Sequence, residues 1–182
     1  MAKLVSKTYG DALFDLALEE QKETLFFEEA KTFLKVIHEN GELVKFMKHP
    51  QIVKEEKLKT GQKIFGGNFS KEFEGFLMLM IQKDRFGEIE KTLEYFIGRM
   101  KEHQGIGVAH VSTAEELSEA QKTKVMERLL ETTHYQSMEM NYTVDESLLG
   151  GMVIRIGDRV VDTSIKQKLK SLSKQLAALS VG

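Results

Sequence analysis

The chain has 182 residues, of which 41% are hydrophobic and 30% charged, and its formal net charge is −2. These values are typical of a globular protein with one or two small domains, and the balanced charge excludes a general attraction to nucleic acid or to an anionic membrane. The absence of cysteine excludes disulfides and thiolate metal sites and suits a reducing cytosol. No stretch approaches 18 uninterrupted apolar residues, and the N-terminal sequence lacks the apolar core of a signal peptide, so we expect no bilayer-spanning segment and no leader.

The first part of the chain has the apolar spacing of helices. Apolar residues three and four positions apart predict helices over residues 3–20, 22–39, 42–47, 54–65 and 86–103, and another helix that begins after Asn68 or Ser70. The predicted inward faces are Val5, Tyr9, Ala12, Leu13 and Leu16; Phe26, Ala30, Phe33 and Ile37; Phe73, Phe76, Leu77, Met80 and Ile81; and Phe86, Ile89, Leu93, Phe96 and Met100. Six helices with short connections predict a compact bundle.

The pattern changes near residue 105. Alternating apolar residues predict strands over residues 105–113, 136–144 and 152–156, and Gly157-Asp158 predicts a tight hairpin that returns through residues 159–162. Residues 117–133 predict a helix with a capping box, and a last helix begins at about residue 164. We therefore expect a mainly α fold, with a six-helix bundle in residues 1–104 and a small α/β domain in residues 105–182.

The glycines do not form a phosphate-binding loop. Gly61 and Gly66 have the spacing of a Walker motif, but no lysine follows where the motif requires one. The Gly105-x-Gly107 pair fails as a dinucleotide fingerprint because His110 occupies the third glycine position. We predict no cofactor-binding residue.

Catalytic and metal-binding patterns are also missing. The five histidines do not pair at metal-ligand spacing, and Ser147 lacks the glycines of a nucleophile elbow. Asp158 and Asp162 resemble an acid/base pair, but their positions in a turn and before a helix favour structural roles. We predict no catalytic and no metal-binding residues, which favours a protein that binds other proteins.

The last helix leaves two alternatives open. Its apolar residues recur at spacings of four and three, which favours packing against its own sheet or contact with a partner coiled coil. Its lysines form either a solvated face or a docking face for an acidic partner. The apolar residues are Ile165, Leu169, Leu172, Leu176 and Leu179, and the lysines are Lys166, Lys168, Lys170 and Lys174.

Two segments carry a resemblance to a known family. The sequence DESLLGGMVIRIGDRVVDTSIKQKLKSL resembles the C-terminal signature of the delta subunit of bacterial F-type ATP synthases, whose mitochondrial counterpart is the oligomycin-sensitivity-conferring protein. The opening VSKTYGDALFDLALEE is similar to that family's first helix, with Gly10 where alanine is commoner. The signature residues are Leu149, Gly150, Gly151, Ile156, Gly157, Asp158, Val161 and Asp162.

The resemblance implies a non-catalytic stator subunit, present in one copy per complex at the cytoplasmic face of the cell membrane. In that family the helical domain binds the N-terminal helix of an alpha subunit in a groove between the first and fifth helices. The C-terminal domain binds the b-subunit dimer of the peripheral stalk. The connection resists rotor torque, so that proton flow is coupled to ATP synthesis.

We expect Tyr9, Ala12, Phe76 and Leu79 to form the alpha-subunit site, although the same residues could belong to the bundle's own core. For the stalk we expect Lys166, Lys170, Lys174 and Leu176, together with the strand-hairpin region.

One alternative function is a free-standing adaptor that binds amphipathic helices. Another is a nucleotide-binding protein with Gly150-Gly151 as a phosphate cradle, which would require a helix where residues 152–156 predict a strand.

Overall fold

The structure, a computed structural model, describes the backbone of residues 2–179 and the side chains of residues 4–172. The chain divides into two compact units, residues 1–100 and 101–182. We expected the boundary after residue 104. That position lies four residues beyond the division between the units and directly after the sixth helix, which ends at His103. Within the described chain, no helix combines the length and the apolarity needed to cross a membrane.

The first unit contains the six predicted helices, except for the last three residues of the sixth helix, which belong to the second unit. They are α1 (Ala2–Glu19), α2 (Glu23–Glu39), α3 (Gly41–Lys48), α4 (Lys54–Phe65), α5 (Lys71–Gln82) and α6 (Ile89–His103). A single 3-10 turn, Phe86–Glu88, leads into α6. The predicted helical half of the fold is confirmed.

Phenylalanines dominate the core of this unit. Phe26, Phe33 and Phe73 are completely buried, and the Phe33 ring meets Phe65 edge-on with 5.1 Å between ring centroids. Edge-to-face pairs of this kind add about 0.5–1.5 kcal/mol to the burial of the rings. The predicted inward faces of the second, fifth and sixth helices are confirmed, since every one of their residues is buried.

The predicted inward face of α1 is wrong in part. Ala12 is exposed, and Tyr9 is only partly buried. Gly10 lies so close to α6 that a Cβ there would come within 2.5 Å of Tyr95 Cδ1. Because of this close approach, the face of α1 that carries Gly10 and other small residues points into the bundle. The residues that α1 buries are Ser6, Gly10, Leu13, Phe14 and Ala17.

The second unit is a four-stranded mixed sheet with two helices. Its elements are β1 (Ile106–Thr113), α7 (Glu119–Thr132), β2 (Ser137–Val144), β3 (Met152–Ile156), β4 (Arg159–Asp162) and α8 (Ile165–Leu179). The strand order is β2-β1-β3-β4, with β1 parallel to β2 and antiparallel to β3. Because parallel strands need a crossover, α7 connects β1 to β2. The predicted mainly α fold with a small α/β part is confirmed.

One face of the sheet packs toward α7. Ala109 and Val111 of β1 are completely buried, and the Tyr142 hydroxyl donates a 3.2 Å hydrogen bond to the carbonyl of Lys122 in α7. The predicted capping box is present, since Ser118 and Gln121 exchange hydrogen bonds at the start of α7. The helix is thereby fixed over the β1 and β2 side of the sheet.

Candidate functional site

The four residues expected at the alpha-subunit site differ in exposure. Phe76 is 7% exposed, and partly buried Tyr9 packs against the same hydrophobic cluster. Leu79 is 39% exposed, as its position off the apolar stripe of α5 predicted, and Ala12 is exposed on α1. The structure thus brings Tyr9 and Phe76 into one cluster and leaves Ala12 and Leu79 open to solvent.

An ion pair joins the connection between α1 and α2 to the beginning of α5. Lys22 Nζ lies 2.7 Å from a carboxylate oxygen of Glu72 in the first turn of α5. The hydrogen bond from Lys22 lowers the pKa of Glu72, and the same bond raises the pKa of Lys22. Sequence reasoning missed this pair, because no local pattern connects residues so far apart in the chain.

A second polar contact fixes α1 against α6. The Tyr95 hydroxyl donates a 2.9 Å hydrogen bond to Asp11 Oδ1, and Arg99 Nε lies 3.4 Å from the same oxygen. The Arg99 guanidinium also lies over the Phe14 ring, 4.8 Å from its centroid, in cation–π geometry. These contacts orient α1 so that Ala12, next to Asp11, faces outward.

The apolar residues of α8 are exposed as far as the structure describes them. Ile165, Leu169 and Leu172 are 44%, 53% and 54% exposed. The interpretation that this stripe packs on its own sheet is therefore wrong for residues 165–172. Lys166 and Lys170 are also exposed, whereas the side chains of Lys174, Leu176 and Leu179 lie outside the described residues.

A groove of about 490 Å³ lies in the second unit, between the end of α7 and the β3–β4 hairpin. Leu129 of α7 and Ile154 and Ile156 of β3 line it, together with Tyr135 and Val161. Val161 is more than half exposed. Sequence reasoning pointed to the hairpin but missed Leu129 and Tyr135. The groove could have been expected from the sequence, because the predicted strands carry more apolar residues than one helix can cover.

The family signature forms the junction at the start of α8. Leu149, Gly150 and Gly151 have φ values of 61°, 137° and 75°, a left-handed run that glycine adopts most easily. A Cβ on Gly151 would lie 2.5 Å from the carbonyl oxygen of Thr163. The glycines therefore let residues 163–165 pack directly on this turn, and the strand that follows them excludes the predicted alternative of a phosphate cradle followed by a helix.

The rest of the signature caps α8 and turns the hairpin. The Ser164 amide donates a 2.9 Å hydrogen bond to Asp162 Oδ1, and the Ser164 hydroxyl accepts one of 3.2 Å from the Gln167 amide. The hydrogen bonds from Ser164 lower the pKa of Asp162. Gly157 and Asp158 connect β3 to β4, with φ 55° at Gly157. Asp162 has the structural role that its position before a helix predicted, and Asp158 lies in the predicted turn.

No group of three or more metal-binding side chains occurs among the described residues. Two sets of residues remain candidates for protein binding. We call the four residues expected at the alpha-subunit site, Tyr9, Ala12, Phe76 and Leu79, the α1–α5 surface. We call the exposed apolar stripe of α8, taken together with the groove of the second unit, the α8–groove surface.

Known proteins resemble this chain over nearly its whole length. A family model described as "ATP synthase delta (OSCP) subunit" matches residues 5–176. The chain is 52% identical to the ATP synthase subunit delta of Lachnoclostridium phytofermentans over 100% of both chains. It is 31% identical to that of Acetivibrio thermocellus over 96% of this chain and 98% of the relative.

A solved structure shares the fold. A chain of the Toxoplasma gondii mitochondrial ATP synthase hexamer superposes with a TM-score of 0.77 at 17% identity, covering 94% of this chain and 97% of the other. Because the family model and the sequence relatives both span almost all of its residues, this chain belongs to the ATP synthase delta (OSCP) subunit family.

Proposed function

We propose that this chain connects the catalytic head of an F-type ATP synthase to its peripheral stalk through two separate surfaces, one on each unit. Family membership makes the chain a non-catalytic component of the stator. A stator must resist the torque of the rotor, so it needs a firm attachment at each end. The observation that supports two attachments is the presence of exposed apolar residues on both units, Leu79 on α5 and Leu169 on α8.

The α1–α5 surface fits an amphipathic helix, and we assign it the N-terminal helix of an alpha subunit. The ion pair between Lys22, three residues after the end of α1, and Glu72 in the first turn of α5 supports the use of these two helices by one partner. The small Ala12 leaves room for a partner backbone, and Leu79 supplies apolar area to bury.

The α8–groove surface fits the b-subunit dimer of the peripheral stalk. The described stripe of α8 repeats with the spacing by which helices pack against other helices. Lys166 and Lys170 flank the stripe, so an acidic helix would satisfy the charges while it covers the apolar residues. Lys174 and Leu176 continue the same pattern in the sequence.

These attachments place the protein at the cytoplasmic face of the cell membrane, as one copy per complex, held there by its partners. The catalytic head is then held fixed against the torque of the rotor, and proton flow is coupled to ATP synthesis. A free-standing adaptor would bind amphipathic helices without restoring this coupling.

The alpha-subunit attachment is tested by titrating an alpha N-terminal peptide against Leu79→Asp and Ala12→Asp variants. We expect each variant to bind at least about tenfold more weakly, since a charge in the buried centre of an interface removes most of its affinity. Ile64→Asp is the matched control, because Ile64 is also 39% exposed but lies on α4. Equal affinity of the two folded test variants and the control would overturn the assignment.

The stalk attachment is tested with the soluble part of a b-subunit dimer. We expect Leu169→Asp to weaken binding at least about tenfold. Val144→Asp is the control, because Val144 has a similar exposure in the same unit but lies at the end of β2. The assignment fails if Leu169→Asp and the control bind the dimer alike.

A further inference from the structure

A cavity of about 340 Å³ in the first unit is lined by none of the residues of the two proposed surfaces. It is formed by the connection between α3 and α4, the first turn of α4 and the residues that follow α5. Pro50, Ile52 and Ile81 supply apolar walls, and three lysines, Lys48, Lys54 and Lys57, supply positive charge. A volume of this size is at the lower end of small-molecule sites.

Lys57 is the unusual residue of this cavity. It is only 6% exposed and shares the buried face of α4 with Gly61 and Phe65. Burying an ammonium group is costly unless the group is paired and hydrogen-bonded. The lysine is nevertheless present on a stripe where an apolar residue would pack without that cost.

The one carboxylate near Lys57 satisfies it poorly. Asp84 Oδ1 lies 3.6 Å from Lys57 Nζ, beyond hydrogen-bond distance, and the Asp84 side chain is 79% exposed. Within residues 4–172, no acceptor lies within hydrogen-bond distance of the Lys57 ammonium group. Asp84 itself follows α5 in a left-handed conformation, φ 56°, held by the hydrogen bond from its amide to the carbonyl of Ile81.

The charges of the cavity do not balance. Three lysines line it and Asp84 is its single acidic residue, so its potential is positive at neutral pH. A purely structural ion pair would bury the carboxylate with the ammonium group, because a low dielectric strengthens their attraction only when both are shielded from water. Here the side chain of Lys57 is 7% exposed, whereas that of Asp84 is 79% exposed.

We propose that this cavity binds a phosphate group, free or carried by a small organic molecule such as a nucleotide. A phosphate offers several charged oxygens and so can accept from more than one lysine at once, which a single carboxylate does less well. Lys57 donates from the base of the cavity, and Lys48 and Lys54 donate from its rim. Asp84 turns outward when the anion binds, since the two negative charges repel. The apolar walls accommodate an organic group when the phosphate carries one.

The test is an NMR titration of the ¹⁵N-labelled full-length protein with inorganic phosphate and, separately, with AMP, at an ionic strength held constant with chloride. We expect saturable shifts of the Lys57, Ile52 and Asp84 amides with at least one of the two. Saturation with phosphate indicates the free anion, and saturation with AMP alone indicates a phosphoester. The absence of saturable shifts with both overturns the proposal.

Two variants and a control make the test specific. Lys57→Met keeps the length and packing of the side chain, and we expect it to weaken binding at least about tenfold, as for a lost charged hydrogen bond. Asp84→Asn removes the competing carboxylate, so binding should tighten. Lys59→Met is the control, because Lys59 is exposed on the same helix and does not line the cavity. If the Lys57→Met and Lys59→Met variants bind alike, or if Asp84→Asn does not tighten binding, the assignment is wrong.

Discussion

Gly10 of α1 lies directly against the ring of Tyr95 on α6, so closely that a Cβ on Gly10 would come within 2.5 Å of Tyr95 Cδ1. The same ring carries the hydroxyl that donates to Asp11. The glycine therefore allows the contact that sets the rotation of α1, and with it the outward position of Ala12.

The first prediction concerns this contact. Gly10→Ala should destabilise the protein, because overpacking costs about 1–3 kcal/mol and exceeds the gain of up to about 1 kcal/mol from better helix propensity. Gly98→Ala on α6 is the control, since a Cβ there meets nothing within 4 Å, and it should stabilise by about 0.4–1 kcal/mol. Thermal unfolding monitored by circular dichroism compares the two. A higher unfolding temperature for Gly10→Ala would contradict the close approach.

The second prediction concerns the pH dependence of the start of α8. The hydrogen bonds from Ser164 hold the pKa of Asp162 below its ordinary value of 3.8. A lowered folded-state pKa means that the stabilisation is fully present above about pH 3.8 and is lost as the pH falls through the folded-state value. The protection of the Ser164 amide, which is its exchange rate corrected for the pH dependence of intrinsic exchange, should therefore fall at the acid end of this range.

Asp162→Asn should remove that pH dependence, because the amide side chain does not titrate. Asp158→Asn in the hairpin turn is the control and should leave the exchange profile of the Ser164 amide unchanged. A profile that is identical in the original protein and in Asp162→Asn would show that Asp162 does not hold this turn.

The third prediction separates two glycines of the family signature. Gly151→Ala should cost more than about 1–2 kcal/mol, because its left-handed φ of 75° disfavours a side chain and its Cβ would meet the Thr163 carbonyl. Gly157→Ala should cost only the conformational part, about 1–2 kcal/mol, since nothing lies within 4 Å. Urea unfolding measures both. Equal losses would show that the contact with residues 163–164 is unimportant.

A fourth prediction follows from the exposed stripe of α8. Leu169→Lys should leave the unfolding temperature of the free protein nearly unchanged, because surface substitutions away from packed features usually change stability by less than about 0.5 kcal/mol. It should also raise the solubility of the protein, since it breaks an exposed apolar patch. Unfolding temperature and the concentration at which the protein precipitates report the two effects. A large loss of stability would indicate that Leu169 packs within the free protein.

The sequence predicted most of the fold because its apolar spacing is regular. The inward face of α2 was clear from Phe26, Ala30, Phe33 and Ile37, and the hairpin was clear from Gly157-Asp158. The face of α1 could not be predicted in full, because Gly10 is buried through a contact with Tyr95 that lies far away in the chain. Its neighbours Tyr9 and Ala12 carried the apolar signal and are not at the centre of the buried face.

The candidate surfaces were harder to predict than the fold. The exposure of Leu79 followed from its position off an apolar stripe, which is a local property. The exposure of Leu169 did not, because an amphipathic helix next to a sheet normally packs on it. The phosphate cavity was invisible in the sequence, since Lys57 reads as a surface residue until its neighbours Gly61 and Phe65 show that it lies on a buried face.

The most direct test of the stator role is proton pumping driven by ATP hydrolysis in membranes depleted of their stator subunit. We expect the original protein to restore pumping, as well as the control variants Ile64→Asp and Val144→Asp. Leu79→Asp and Leu169→Asp should each leave ATP hydrolysis uncoupled from pumping, because each removes one of the two attachments. Restoration of pumping by both of these variants to the level of the original protein would contradict the two-surface account.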